Sequence, residues 1–161
     1  MPMPRVRVSS SADWHDYQRL SRALKDAART DLRRELRQEI RKAGQPALAE
    51  VRAAALGVDM SGGPSGSTGL RARIAAATKL QVRASGIEFT VRASQVDPRY
   101  GETLAVGSEG TPWRHPVYGN RNAWVTQVGA PWFYPTLRAH APAFRRAALD
   151  AMHNIMRKIA G

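Results

Sequence analysis

An apolar stripe with helical spacing dominates the first third of the chain. Its members recur every four residues with alanines beside them: Leu20, Leu24, Ala28, Leu32, Leu36 and Ile40. This period predicts a long amphipathic helix, and Ser11 or Asp13 can cap its N-terminus. Gly44 and Pro46 interrupt the stripe, so residues 47–56 are expected to form a second helical segment or a kinked extension.

The polar face of this helix carries charges of both signs. Five arginines stand among four acidic residues, namely Arg29, Arg33, Arg34, Arg37 and Arg41 with Asp26, Asp31, Glu35 and Glu39. Such a pattern is more typical of a solvated, salt-bridged face than of a binding surface.

Alternation of apolar and polar residues between 80 and 94 predicts a β-hairpin. If Ser85 and Gly86 form a two-residue turn, one face holds Leu80, Val82, Ala84, Ile87, Phe89 and Val91. This register places Val82 opposite Phe89 and Arg83 opposite Glu88, both favourable cross-strand pairs. One face of the hairpin is then core and the other is wet.

Glycine and serine dominate residues 57–69, which are expected to form a flexible loop. It is not a phosphate-binding loop, because no Gly-Lys-Ser/Thr follows it. A short helix is expected at Leu70–Thr78. Residues 97–110 are polar and turn-rich, so we expect them to loop out.

The C-terminal part begins with a third predicted strand at 122–128, in which Trp124 and Val128 favour β-structure. A final amphipathic helix follows, with the stripe Ala141, Phe144, Ala148, Met152, Ile155 and Ile159. Pro142 must lie in its first turn or kink it.

A short strand is also possible at Arg5–Ser9. The sum predicts an α+β fold: a small antiparallel sheet, made of the hairpin and at least one further strand, packed against a long N-terminal helix and a C-terminal amphipathic helix. At this length, residues 1–161 are expected to form a single domain.

The formal net charge of +12 comes from 25 basic and 13 acidic residues. It favours nucleic acid, an acidic protein surface or an anionic membrane as neighbour, although solvated charges in an arginine-rich chain explain it equally well. The basic excess is not concentrated in one block. No apolar run approaches a membrane span and no secretory signal is visible, so synthesis in a cytoplasm is expected.

Catalytic motifs are scarce. The absence of cysteine excludes disulfides and thiolate metal sites, and none of the four histidines has a metal-binding spacing. His115 beside Arg114 is the best catalytic candidate, but a histidine in that setting is more often a hydrogen-bonded structural residue. We therefore expect no enzymatic activity and no cofactor or metal. Arg83 and Arg92 could contact a nucleic-acid backbone loosely, without reading sequence.

The stretch "GTPWRHPVYGNRNAWVTQ", residues 110–127, holds two of the four tryptophans. With "PWFYPTLRAHAPAFRRAALDAMHNIMRKI" after it, this stretch resembles the C-terminal half of the small tail-completion and neck proteins of long-tailed bacteriophages (siphoviruses), particularly those that infect actinobacteria. The preceding "LRARIAAATKLQVRASGIEFTV" is similar to the short helix and hairpin of that family. The likeness spans about residues 69–160, while the long N-terminal helix agrees only in character.

The resemblance implies a structural virion protein at the head–tail junction, made in the host cytoplasm. Such a protein forms or joins a ring between the DNA-filled head and the tail tube. The implied assembly is a cyclic oligomer, with a hexamer favoured because tail tubes are typically six-fold. The implied partners are other neck, tail-terminator or tail-tube proteins. Weak, sequence-independent contact with packaged DNA fits the charge, and a non-catalytic nucleic-acid-binding protein is the alternative.

Within that family likeness, the motif residues are expected to build a rigid packed loop or a subunit contact: Trp113, Arg114, His115, Pro116, Tyr118, Arg121 and Trp124. A place in the core is favoured for Trp124. For Trp113 and Tyr118, core and interface are equally good interpretations.

Overall fold

The computed structural model describes residues 5–7, 12–61, 69–83, 86–117 and 120–161. Its elements, in chain order, are β1 (Arg5–Arg7), α1 (Ala12–Asp26), α2 (Thr30–Gly57), β2 (Met60–Ser61), α3 (Leu70–Ala77), β3 (Thr78–Arg83), β4 (Gly86–Val91), α4 (Ala93–Val96), α5 (Gly101–Ser108), β5 (Trp113–Val117), β6 (Asn120–Gly129) and α6 (Phe133–Ala160).

The predicted α+β fold is confirmed. One antiparallel sheet has the strand order β1-β4-β3, and the long helices α2 and α6 pack together, with α2 also against β3. The core lies between these layers and includes Leu36, Ile40, Phe89 and Ile155. Burial of such apolar surface is the main force that holds the layers together.

The further strand of the hairpin's sheet is β1, where a short strand is predicted, and the predicted strand at 122–128 is β6. It pairs with β5 and β2 in a second antiparallel sheet of order β2-β6-β5. The partner β5 precedes β6 closely in the chain, and such a local pairing needs only a short closed loop. The strand β2, which pairs Met60 with Gly129, lies inside the predicted loop 57–69; residues 62–68 of that loop lie outside the described residues.

The predicted first helix is interrupted at Ala28, although this residue fits the four-residue period of the apolar stripe. Ala28 has φ +54°, in the left-handed region, and it separates α1 from α2. The Arg29 N–H donates to the Leu24 carbonyl and the Ala28 N–H to the Lys25 carbonyl. This is the hydrogen-bond pattern of a Schellman helix terminus. Of the two expected N-caps, Asp13 lies within α1, and Ser11 lies outside the described residues.

Of the two alternatives for residues 47–56, the separate helical segment is wrong, since α2 extends through Gly44 and Pro46. Gly44 serves close packing: a Cβ there would lie 2.7 Å from Leu80 Cδ2 and 3.5 Å from Phe144 Cε2. The Leu80 side chain of β3 and the Phe144 side chain of α6 therefore pack close to the α2 backbone at this point. Pro46 cannot donate the helical hydrogen bond of its turn, yet α2 continues to Gly57.

The β3–β4 hairpin has the predicted faces but a different register. Val82 pairs with Ile87, Leu80 with Phe89, and Arg83 with Gly86, so the pairing is shifted by two residues from the prediction. A two-residue shift keeps every side chain on its face, and Ile87, Phe89 and Val91 are buried as expected.

Arg83 still meets its predicted partner Glu88, now diagonally, with Arg83 Nε 3.4 Å from Glu88 Oε2. The predicted wet position of Glu88 is wrong because this side chain is buried. Its strand β4 is central in the sheet, between β1 and β3.

The expected loop at 97–110 is largely helical. Helices α4 and α5 flank a turn in which Asp97 Oδ1 accepts from the backbone N–H groups of Tyr100 and Arg99, each at 2.8 Å. These two hydrogen bonds hold the pKa of Asp97 below its ordinary value of 3.8. The Asp97 side chain thereby stabilises a regular turn in a segment whose composition predicts an irregular loop.

Helix α6 starts earlier than the stripe indicates, and Pro142 lies well inside it rather than in its first turn. Lys158, near its C-terminus, forms an ion pair with Glu35 of α2. None of the helices in the described ranges is long and apolar enough to cross a membrane.

The arginine face of α2 is only partly solvated, contrary to expectation. The Nε atoms of Arg33 and Arg37 are buried and lack hydrogen-bond partners among the described residues. Both arginines face Tyr17 of α1, whose side chain is fully buried. Burial raises the pKa of Tyr17, and the two guanidinium groups partly oppose this effect.

Candidate functional site: the β5–β6 hairpin

The motif at 110–127 folds as an antiparallel hairpin of β5 and β6. The register pairs Trp113 with Gln127, His115 with Val125, and Pro116 with Trp124. Since directly opposed residues share a face, Trp113 and His115 lie on one face and Arg114 and Trp124 on the other. We call these the inner and the outer face, because the first is mostly covered and the second is mostly exposed.

The inner face is anchored by Trp113, which is 6% exposed. Its ring packs on the α5 backbone at Gly107, where a Cβ atom would overlap the indole. The Trp113 indole N–H is buried and has no hydrogen-bond partner within the described ranges. Of the two interpretations left open for Trp113, the structure therefore favours a packed, buried side chain.

His115 extends this inner face. Its ring stacks beside Trp113 with centroids 6.3 Å apart, Nδ1 lies 3.1 Å from the Pro116 carbonyl oxygen, and Nε2 lies 2.7 Å from Gln127 Oε1. These contacts fix the ring orientation within the hairpin.

The outer face presents an oriented tryptophan. Trp124 is 48% exposed, so its predicted place in the core is wrong. Its indole N–H donates to the Arg121 carbonyl at 2.7 Å, and the Arg114 guanidinium carbon lies 5.5 Å from the ring centroid. A cation–π contact of this kind contributes about 0.5–1 kcal/mol at an exposed site. The ring is thus held in place while much of its surface remains open to solvent.

A junction at Ser108 and Glu109, which the sequence did not reveal, fixes the hairpin to the rest of the fold. Glu109 Oε2 accepts from the backbone N–H groups of Trp132 at 3.0 Å and Phe133 at 2.7 Å, and Oε1 accepts from Tyr134 N–H at 3.2 Å. A carboxylate at a helix N-terminus is favoured by both hydrogen bonding and the helix dipole.

Ser108 completes the junction, as its hydroxyl accepts from the Trp132 indole N–H at 3.1 Å. The Ser108 backbone lies so close to Gly129, at the end of β6, that a Cβ atom on Gly129 would overlap it. Glu109 lies 23 residues before Trp132, so no local capping motif signals it. The one sequence feature that marks Glu109 is its position as the last acidic residue before a long segment without Asp or Glu, residues 110–149.

Of the other predicted site residues, Pro116 is half-buried and Arg121 is exposed on β6, while Tyr118 lies outside the described residues. The structure brings together Trp113 with His115 on the inner face and Arg114 with Trp124 on the outer face. No group of three or more His, Asp or Glu residues that could hold a metal ion occurs in the part of the chain that the structure describes.

Comparisons with protein-family models, with curated proteins and with solved structures found no match to this chain. The family likeness therefore rests on the order of the motifs in the chain, and the function that it implies is a proposal.

Proposed function

We propose that this protein is a non-catalytic structural component of a bacteriophage head–tail junction, where it forms or joins a ring between the head and the tail tube. The proposal rests on the motif likeness over residues 69–160. The observation that carries it is the outer face of the β5–β6 hairpin, where Trp124 is fixed by two contacts and yet is half exposed.

An exposed, pre-oriented tryptophan beside arginine is typical of a contact surface. Tryptophan and arginine are enriched among the residues that dominate protein interfaces, and rigid groups lose little entropy on binding. The hairpin is also held rigidly through Trp113 and the junction at Ser108 and Glu109. Ring subunits need such a surface to join each other or a neighbouring ring.

A cyclic oligomer, with a hexamer as the favoured case, is the assembly that this role requires. Neighbouring neck, tail-terminator or tail-tube proteins are its other proposed partners, and the virion is its proposed location. The charge of +12 suits a ring around a DNA path, because contact with phosphates requires no base readout.

The test is the protein content of purified, DNase-treated particles of the phage that encodes the chain. We expect the protein in the particles, at the copy number of a ring, and depletion of tailed particles when its gene is disrupted. Absence from particles together with abundance in the lysate would reject the virion role.

The second candidate is a free nucleic-acid-binding protein without catalytic activity. The exposed Arg114–Trp124 pair together with the net charge favours it. The salt dependence of DNA binding separates the two candidates. A ring along a DNA path should bind weakly and without sequence preference at physiological salt, whereas a dedicated sequence-specific binder has a Kd of about 10⁻⁸ M or tighter.

A further inference from the structure

The acidic residues of this chain are distributed unevenly. Between Glu109 and Asp150 the sequence has no Asp or Glu, while it has five arginines: Arg114, Arg121, Arg138, Arg145 and Arg146. This acid-free segment includes both strands of the β5–β6 hairpin and the first half of α6. The hairpin therefore carries only positive formal charge, although the basic residues as such are spread along the chain.

We propose that the β5–β6 hairpin binds a single strand of nucleic acid, with Trp124 of the outer face stacking on a base and the exposed Arg114 and Arg121 contacting the phosphate backbone. The proposal depends on the geometry and charge of the hairpin and not on the virion role. It gives Trp124 a different occupant from the protein contact proposed above, and the variants below distinguish the two.

Trp124 is suited to stacking because its ring is already oriented. The hydrogen bond from its indole N–H to the Arg121 carbonyl and the Arg114 guanidinium near the ring limit its rotation. A base can then stack without a large loss of side-chain entropy, and stacking tolerates any base because each has a π-face.

The two arginines supply the phosphate contacts. Both side chains are exposed. Arg114 lies diagonally across the strand pair from Trp124, whereas Arg121 lies three residues before Trp124, where the pairing of β6 with β5 is irregular. A guanidinium group can donate two parallel hydrogen bonds to a phosphate. The exposed neighbours Asn120, Asn122 and Thr126 add neutral donors and acceptors to this surface.

Single strands are favoured over duplexes because a base inside a duplex is already stacked on both sides. Trp124 can reach a base face only where pairing and stacking are lost, so its contribution should be specific to single strands. The arginines should contact single strands and duplexes alike, since both have a phosphate backbone.

The experiment measures fluorescence anisotropy of a labelled oligothymidylate of about 20 nucleotides, longer than the roughly 4–16 that one small domain covers. A duplex of the same length is measured beside it, and both are titrated over a series of salt concentrations. We expect Trp124→Ala to weaken single-strand binding roughly 5- to 150-fold and duplex binding much less. Trp124→Phe should restore most of the loss because it keeps a ring.

Arg114→Gln and Arg121→Gln should each lower the slope of log affinity against log salt by about 0.7–0.9. Two control variants match these changes elsewhere: Tyr100→Ala removes a ring that is 64% exposed, and Arg41→Gln removes one exposed charge from α2. Tyr100→Ala should leave single-strand binding unchanged. Arg41→Gln should weaken it only by the small amount expected for the loss of one distant positive charge.

Equal effects of Trp124→Ala and Tyr100→Ala would overturn the proposal, as would equal affinity for single strand and duplex in all variants. If Trp124→Ala reduces assembly with protein partners but leaves oligonucleotide binding unchanged, the outer face is a protein contact and the inference is wrong. Absence of the protein from virions would reject the junction role and leave these binding results unaffected.

Discussion

At the residue scale, Glu109 joins the end of α5 to the start of α6 with a single carboxylate. Three backbone N–H groups at the N-terminus of α6 donate to it. The first N–H groups of any helix lack partners within the helix. A distant side chain here replaces the local cap, and it links the second sheet to the main core through the adjacent Ser108.

Glu109→Ala is expected to lower the free energy of unfolding by about 1–3 kcal/mol, because it leaves partly buried backbone donors without a partner. Glu50→Ala is the matched control: it removes an exposed glutamate from the middle of α2, and its effect should stay within about 0.5 kcal/mol. Urea unfolding of both variants measures the difference. Similar values for the two would contradict the capping role.

Trp113 and Trp124 show at the same scale how one motif serves two purposes. Both are large rings in strands, but the pairing of Pro116 with Trp124 places them on opposite faces. Only the inner face meets α5, where Gly107 leaves room for an indole. Because the two tryptophans lie on opposite faces of the hairpin, Trp113 is buried and Trp124 is exposed.

At the scale of elements, the turn between α1 and α2 depends on a left-handed residue without the usual glycine. Ala28 occupies this conformation with φ +54°, which costs an L-residue roughly 1–2 kcal/mol. The Schellman hydrogen bonds offset that cost. An alanine there keeps the apolar period unbroken, which is why the sequence predicts a continuous helix.

Ala28→Gly is expected to stabilise the protein by up to about 1 kcal/mol, because relief of the left-handed strain exceeds the added freedom of the unfolded chain. Ala53→Gly, at an exposed position inside α2, should destabilise it by about 1 kcal/mol. Replacing alanine with glycine should thus raise the free energy of unfolding at residue 28 and lower it at residue 53. Thermal melting of both variants tests this, and a loss of stability in Ala28→Gly would contradict it.

The β3–β4 hairpin offers a second test at this scale. Phe89 is 1% exposed, so Phe89→Asp should cost about 3–5 kcal/mol or more, since it removes a packed ring and buries a charge. Arg83→Ala removes the exposed partner of an ion pair whose other member, Glu88, is buried, and should cost about 1–3 kcal/mol at most, less than Phe89→Asp. Equal losses of melting temperature would mean that the two faces are assigned wrongly.

At the scale of the whole molecule, the proposed ring must overcome the repulsion between strongly basic subunits. A net charge of +12 per chain opposes self-association, and at physiological ionic strength salt screens the repulsion between charges more than about 8–10 Å apart. Polyanions such as DNA, or less basic neighbours, would have the same effect in a virion.

We therefore expect assembly to depend on salt or on a partner. Light scattering should give a cyclic oligomer, with a hexamer favoured, either for the protein alone at about 0.15 M salt or after mixing with the tail-tube protein. Trp124→Ala should reduce this assembly if the outer face is a subunit contact, whereas Tyr100→Ala should not. A monomer under every one of these conditions would reject the ring.

The amino-acid sequence by itself determined the class of fold and most of its elements. The four-residue period of Leu32, Leu36 and Ile40 defines the buried stripe of α2, and alternation around Ile87 and Phe89 defines the buried face of the hairpin. Such patterns are readable because side-chain direction repeats with the backbone period, whatever the partner layer is. The aromatic and arginine residues of the β5–β6 hairpin also stood out by composition alone.

Only the tertiary structure decided where these elements meet and which face of each strand is covered. The pairing of β2 with β6, the contact between Trp113 and Gly107 of α5, and the cap by Glu109 are all formed by residues apart from each other in the chain. Local propensities differ by about 1 kcal/mol or less for most residues, and packing outweighs them. Sequence periodicity specifies that a face is buried, while the partner that covers it is chosen by the packing of the whole chain.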